Sequence, residues 1–441
     1  MHKLLIYCAQ QSNRLRYTLD ELLHTYLGID YQLVHHWNDF MIQKESPRIV
    51  YDSSPSQDTS LPFIKADPFI FEKHIHPITP QISEWQEMTT LFSNDQENDQ
   101  FPFDLFSAAF FLLSRYEEYL PFEADQHGRF PAKESMAYQH NFLHLPIIQH
   151  WCMAFAKYLQ AYYPKLIIQY PSYKFIPSYD IDYAWSYLHK PILRQVGAIS
   201  REMAKGQWKR LLERANVYSK NKKDPFDVYQ QLREWHQAHR LSPIFFFLLA
   251  DQNTYDKNIS HSNRQFQNLI QKIARQYKIG IHPSYLSNTD NNILKKETSR
   301  LKAIARKDIT KSRQHYLKLS FPQTYQRLLQ LGIREDYSMG YAAAIGFRAG
   351  TALPFYWYDL STDQVTDLKV FPFQLMDVSL KDYLGLSPNE AKDSIQQIIE
   401  QCKQVGGIFI PLWHNSSFSE LDGWEGWKAV YEYVLVQATT A

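Results

Sequence analysis

Two carboxylates two residues apart, Asp180 and Asp182 in the run Pro177–Trp185 (PSYDIDYAW), stand where an apolar, extended-looking stretch ends and a loop should begin. On a strand the two side chains would share a face. So placed, they repel unless a cation or a shared proton lies there. One carboxylate holding a metal while the other handles protons is the local logic of a hydrolytic metal site. The plain alternative is a pair of solvated loop acids, and D-x-D matches by chance too readily to decide alone.

Other strand-like runs end the same way. His282 follows Ile279–Ile281, His414 follows Gly407–Leu412, and Arg313 and His315 lie on Lys311–His315. In barrels and wound sheets the carboxyl ends of parallel strands converge on one mouth, so residues far apart in sequence can share a site. Any one of these residues could equally cap a loop. The joint pattern carries the argument.

The elements that must position them read as follows. From Leu166 the chain alternates strand and helix, which points to a parallel sheet or barrel. Phe175–Tyr179 carries the two aspartates, and PIFFFLLA (Pro243–Ala250) is a buried strand. Amphipathic helices are expected over Arg264–Tyr277, Ile293–Ala305, Pro322–Leu331 and Ala391–Val405, with a further strand at Ile345–Phe347. Ile192–Lys222 is a basic helical stretch, read as a solvated face. Residues 1–165 look like a smaller α/β unit, with strands at Lys3–Ala9, Asp30–Val34 and Arg48–Tyr51. Its helices lie at Tyr17–Tyr26, Asp104–Tyr119 and Ile147–Tyr163. The polar run Ser93–Gln100 reads as an exposed loop. His74 and His76 lack a nearby third ligand and read as surface residues.

Composition bounds the answer. The chain has 441 residues, 44% of them hydrophobic, with 47 Lys+Arg against 46 Asp+Glu. Such a balance asks for neither nucleic acid nor an anionic membrane. Three cysteines, Cys8, Cys152 and Cys402, are too few and too scattered for a disulfide framework or a thiolate zinc site. The start of the chain reads as a strand, not a signal peptide, and no run is long enough to span a bilayer. A cytoplasmic protein is the expectation. The 30 tyrosines and 10 tryptophans fill cores first and also suit stacking on sugar rings.

The order SYDID (178–182), GIHPSY (280–285), SRQHY (312–316), GIREDYS (332–338) and IPLWH (410–414) resembles the five-motif series of NodB-homology polysaccharide deacetylases. That resemblance covers roughly Tyr170–Tyr433. It implies a distorted (β/α) barrel over residues 166–441 and a divalent metal, zinc above all, that helps remove acetyl groups from N-acetylated sugars. The N-terminal unit resembles an uncharacterised domain that precedes such modules in some bacterial proteins, which assigns it no function.

By the same resemblance Asp180 is the general base, and Asp182 and His282 are metal ligands. Arg313 orients the base, and Tyr316, which follows it, is a candidate substrate contact. Asp336 tunes the catalytic histidine, and His414 is that histidine, the general acid. The family's H-x-x-x-H is broken here, since Leu286 stands where the second histidine belongs. His315 could take its place, and Ser284 or a water is a weaker substitute. Arg348 in GFRAGTALPF could bind a substrate carboxylate or phosphate, or be tied to a structural acid such as Asp359. Trp413, Trp424 and Trp427 are sugar platforms or plain core, and Asp377 is a candidate with no assigned role. Two other readings stay open: a degenerate, non-catalytic glycan-binding or scaffold module, and a hydrolase of small linear or cyclic amides. Substrate identity and oligomeric state stay open as well.

Overall fold

The computed structural model describes residues 3–54, 58–94 and 101–440. Most of the polar run at 93–100 therefore lies outside the described residues. The N-terminal strands β1 (Leu4–Tyr7), β2 (Tyr31–Val34), β3 (Arg48–Asp52) and β4 (Phe63–Lys65) form a parallel sheet in the order β2-β1-β3-β4. A separate hairpin pairs β5 (Ile82–Trp85) with β6 (Met88–Leu91). The helix Leu105–Leu113 is buried on every side, as its all-apolar sequence requires. Asp104 caps it, accepting from the Phe106 and Ser107 amides.

The expected single helix over 104–119 breaks after Ser114. Arg115 adopts a left-handed conformation, φ 56°, and a 3-10 turn, Tyr116–Tyr119, follows. This bend aims the Arg115 side chain at a buried cluster with Glu117, Glu118 and Tyr341. The outer helix Ile147–Tyr162 ends before Pro164.

Beyond residue 165 come β7 (Lys174–Phe175), β8 (Ser178–Ile181), β9 (Ile244–Leu248), β10 (Lys278–His282), β11 (Lys311–Ser312) and β12 (Glu335–Asp336). These are followed by β13 (Phe355–Asp359), β14 (Gln364–Val370), β15 (Leu375–Met376), β16 (Ile408–Phe409) and β17 (Pro411–His414). Nine of them make one sheet, ordered β13-β14-β12-β11-β10-β9-β8-β17-β15. Every pair is parallel except the β13/β14 hairpin. Helices Arg264–Gln276, Asn291–Ala305, Gln323–Gln330 and Pro388–Gln404 link the strands, as the periodicity predicts.

Among the described residues no ladder joins β13 to β15, so the closed barrel is not what the hydrogen bonds build. The sheet is nevertheless strongly curved. On a flat sheet β11 and β8 would stand about 14 Å apart, at ~4.8 Å per strand. Arg313, just past β11, instead contacts Ser178 and Asp180 of β8 directly, at 2.8 and 3.0 Å. Phe371–Gln374 carries the chain from β14 to β15 across the gap, with the Phe371 amide donating to Asp336 O and that of Phe373 to Met339 O.

Three other expectations change. Ile345–Phe347 is a loop, its Phe347 amide bonded to Leu143 O. The run 407–412 is divided at Ile410 between β16, which pairs with β7, and β17. The basic stretch 192–222 is two helices, Ile192–Ala204 and Trp208–Tyr218. The aromatic core runs without interruption from the N-terminal unit into the large sheet, with Tyr17 and Phe110 each about 5 Å from the Tyr358 ring.

Candidate active site

Asp180 and His414 are register partners on the adjacent parallel strands β8 and β17. His282 closes β10, two strands away, and Asp182 follows the end of β8. The curvature of the sheet folds Arg313 and His315, from the segment after β11, over the same end. Asp180, Asp182, His282, His315, Tyr316 and His414 all line one pocket of about 220 Å³.

Three groups could hold a metal: Asp182, His282 and His315, whose ligand atoms lie within 4.8 Å of one another. His282 Nε2 stands 3.2 Å from Asp182 Oδ1, and His315 Nε2 stands 3.6 Å from Asp182 Oδ2. Both imidazoles are oriented from behind. Nδ1 of His282 donates to the Arg313 carbonyl, and Nδ1 of His315 to Asp256 Oδ1 at 2.7 Å. Each ring therefore turns Nε2 toward Asp182, the arrangement in which a second acceptor fixes the ligating nitrogen. Asp182 Oδ1 is buried and accepts no hydrogen bond.

A positive charge is favoured beside the Asp182 carboxylate, and a proton on His315 supplies one. Burial works against charge on His315, but Asp182 and then Asp256 outweigh it and push its pKa up to about 9. Burial likewise opposes the Asp182 carboxylate, yet His315 and His282 hold it well below the usual carboxylate range. Two imidazoles and one carboxylate suit a divalent ion of the zinc type, and leave room for a further ligand. The residues present fit such an ion. Leu286 is exposed and stands outside this cluster, while His315 takes part in it.

Asp180 is buried. Its Oδ1 accepts from Arg313 Nη1 at 3.0 Å, and its Oδ2 lies 3.6 Å from His282 Nε2. Arg313 is itself completely enclosed, with Phe246 4.5 Å from its guanidinium and Phe373 on another side. Gly280 of β10 makes that enclosure possible, because a Cβ there would fall 2.6 Å from the Phe246 ring and 2.8 Å from Lys311 O.

His414 presents Nε2 to the pocket, 3.7 Å from Asp182 Oδ2, and donates through Nδ1 to Asp377 Oδ1 at 2.8 Å. Burial disfavours its charge, but Asp377, then Asp182 and Asp180, raise its pKa to about 10. The carboxylate behind His414 is therefore Asp377, not Asp336. Asp336 is buried elsewhere, accepting from Ser312, Ser338 and Tyr325. These bonds tie β11 to β12 and the Gln323–Gln330 helix.

Two expected substrate contacts also move. Arg348 is buried and forks onto Glu118 at 2.9 and 2.6 Å, so the structural tie holds, with Glu118 in place of Asp359. Trp413 is fully buried against Tyr431 and offers no platform. Trp427 is core as well. The aromatic walls of the pocket are instead Tyr183, Tyr255, Tyr316 and Tyr383, with Met376 and Leu412.

Asp256, Arg129 and most of these tyrosines carried no sequence signal, since they lie on loops without a motif. Arg129 comes from the N-terminal unit. Its Nε donates to Asp125 and its Nη1 to the Tyr316 carbonyl, both at 2.7 Å, which pins the loop carrying His315. His76 pairs with Glu72 at the surface, and the three cysteines are free and buried.

Residues 4–164 match the model of a family of unknown function, DUF7033. No curated protein matches the chain. Among solved structures it is similar to a protein from Mycobacterium smegmatis provisionally named a polysaccharide deacetylase. Identity there is 16%, over 61% of this chain and 85% of that one, with a TM-score of 0.40. It is also similar to 4-alpha-glucanotransferase from Thermococcus litoralis, at 13% identity over 62% of this chain and 38% of that one, TM-score 0.36. A third likeness is to a GH138 enzyme targeting pectin rhamnogalacturonan II, at 9% identity over 99% of this chain and 50% of that one, TM-score 0.25. At these scores the likenesses carry no argument, and the functional reading stands on the site. Among the described residues no helix is long and apolar enough to cross a membrane.

Proposed function

We propose that this protein is a metal-dependent amide hydrolase that removes an acetyl group from an N-acetylated sugar, within a strongly distorted (β/α)-barrel-like domain. One observation carries the reading. Two imidazoles, each fixed through Nδ1, direct Nε2 at the two oxygens of Asp182, His282 at Oδ1 and His315 at Oδ2, and the buried Oδ1 has no hydrogen-bond partner. That arrangement has little purpose in a structural core and is complete once a cation binds.

Asp182, His282 and His315 would hold the ion, zinc by their chemistry. When bound, such an ion polarises a carbonyl and makes water acidic enough to lose a proton near neutral pH. Asp180, clamped on one oxygen by Arg313, keeps the other free to take that proton. His414, protonated at neutral pH and held by Asp377, stands ready to give its Nε2 proton to the departing amine. The tyrosine walls suit the apolar face of a sugar ring.

Metal analysis of protein purified without chelator, beside acetate release from acetylated sugars, tests this. One equivalent of metal that falls away in His315→Ala supports the reading. Metal-free protein that regains no activity with added zinc would sink it and favour a binding module. Acetate release from small amides alone would redirect the substrate class.

A further inference from the structure

The helices Ile192–Ala204 and Trp208–Tyr218 leave an apolar face bare. Leu193 and Ile192 are the most exposed large hydrophobics among the described residues, at 87% and 77%, and Leu212 and Trp208 reach 67% and 63%. Helical spacing gathers Ile192, Val196, Met203 and Leu193 on one side of the first helix, with Ser200 between them and the small Ala204 and Gly197 just beyond Leu193. Arg194, Arg201 and Lys205 follow one another along the margin of that side.

The charge is as lopsided as the hydrophobicity. Residues 190–223 hold ten lysines and arginines against two glutamates, in a chain whose net charge is only +1. Beneath the first helix Lys190, Arg201 and Lys205 line a cavity of about 540 Å³. Arg210 and Arg214 line it too, but are taken up by Asp422 and Glu202. Among the described residues Arg201 and Lys205 have no carboxylate within ion-pair distance.

We infer that this helical hairpin docks on the surface of an anionic phospholipid bilayer. Its apolar side chains enter the headgroup boundary, and Arg201 and Lys205 receive lipid phosphate. A bare apolar helix face edged by Lys and Arg, followed by a second helix that exposes a tryptophan and a leucine, has the chemistry of an interfacial hairpin. A solvated face would carry charge where Ile192, Leu193 and Val196 stand. A second copy of this chain is a poor occupant, because it would bring the same positive charge against itself. Tyr183 lines both this cavity and the pocket of the candidate active site, so docking would set the mouth of that pocket at the lipid surface. The inference does not depend on the catalytic reading.

Sedimentation of the full chain with vesicles tests it. Binding to vesicles containing phosphatidylglycerol should exceed binding to pure phosphatidylcholine by about tenfold or more, and should fall sharply at about 0.5 M salt. The double variant Leu193→Ser, Trp208→Ser should lose binding about tenfold or more with an unchanged circular dichroism spectrum. Arg201→Glu with Lys205→Glu should erase the preference for anionic lipid. No binding to either vesicle overturns the inference. So does a concentration-dependent dimer in analytical ultracentrifugation that Leu193→Ser dissociates, since the face then belongs to a second copy. Metal content and acetate release should be unmoved by these variants in vesicle-free assays, which separates this test from that of the hydrolase.

Discussion

Asp377 Oδ1 accepts a hydrogen bond from His414 Nδ1 at 2.8 Å, while Asp377 Oδ2 accepts from the His414 amide at 2.7 Å and from the Ser417 hydroxyl. One carboxylate thus grips both the backbone and the ring of the candidate acid. Asp377 lies just past β15 and His414 at the end of β17, neighbouring strands in the sheet.

Asp377→Asn should therefore weaken turnover and shift its pH profile. The carboxylate is the largest influence raising the His414 pKa toward 10. Its loss lets the imidazolium give up its proton at lower pH, so the alkaline limb of kcat/KM moves to lower pH. Loss of a positioned general acid costs on the order of 10²-fold or more. Asp336→Asn should leave that limb in place and lower stability instead. The pH–rate profiles of both variants decide between the two carboxylates.

Asp180→Asn should reduce turnover by about 10²–10⁴-fold with metal content unchanged. Arg313 can still bond the remaining oxygen, so the fold should hold. If metal content collapses, Asp180 is a ligand and the division of roles between the two aspartates is wrong.

Asp256→Asn should loosen the metal by about 10–100-fold, because a partner behind a ligating histidine has effects of that size. His315 would lose the charged acceptor that turns Nε2 toward Asp182 and keep at best a neutral amide oxygen. Competition with a chelating dye measures it. An unchanged affinity would mean that His315 is not a ligand.

Glu118→Gln should destabilise the protein by about 3–5 kcal/mol, the cost of breaking a buried charge network from one side. Arg348 and Arg115 both donate to Glu118, and all three are buried. Urea unfolding reads the loss. Since Arg348 binds Glu118 rather than substrate, KM of the folded variant should not change.

His236 makes stability fall in acid. Burial lowers its pKa to about 3, and its Nε2 lies 2.7 Å from the Tyr179 hydroxyl. Between about pH 6.5 and 3 the unfolded chain binds a proton that the folded one refuses, so stability rises with pH across that window. The slope from this one group approaches about 1.4 kcal/mol per pH unit. His236→Gln should flatten that part of the stability profile, as read by urea unfolding at several pH values.

Strand-end placement of Asp180, His282 and His414 was legible in the chain, because long apolar runs such as IFFFLL stop at polar residues. Period and length marked the helices Arg264–Gln276 and Pro388–Gln404 for the same reason. Two-residue strands such as β11, β12 and β15 have no period to read, and the β13/β14 hairpin lacks a two-residue Asn-Gly or Asp-Gly turn. The DLFSAAFFLL helix was plain, but its break at Arg115 was not, since that bend serves Glu118 and Arg348 across the fold.

By itself the sequence determined the donor chemistry of this protein: carboxylates and imidazoles at the ends of buried strands, with no thiolate framework. Only the tertiary structure decided which of them meet. His315 rather than position 286 faces Asp182, and Asp377 rather than Asp336 holds His414, because strand order and the curl of the sheet set those distances. Neither is local, so no spacing along the chain encodes them. Arg348 and Trp413 lost their substrate roles the same way, since burial is a property of what packs around a side chain and not of its type.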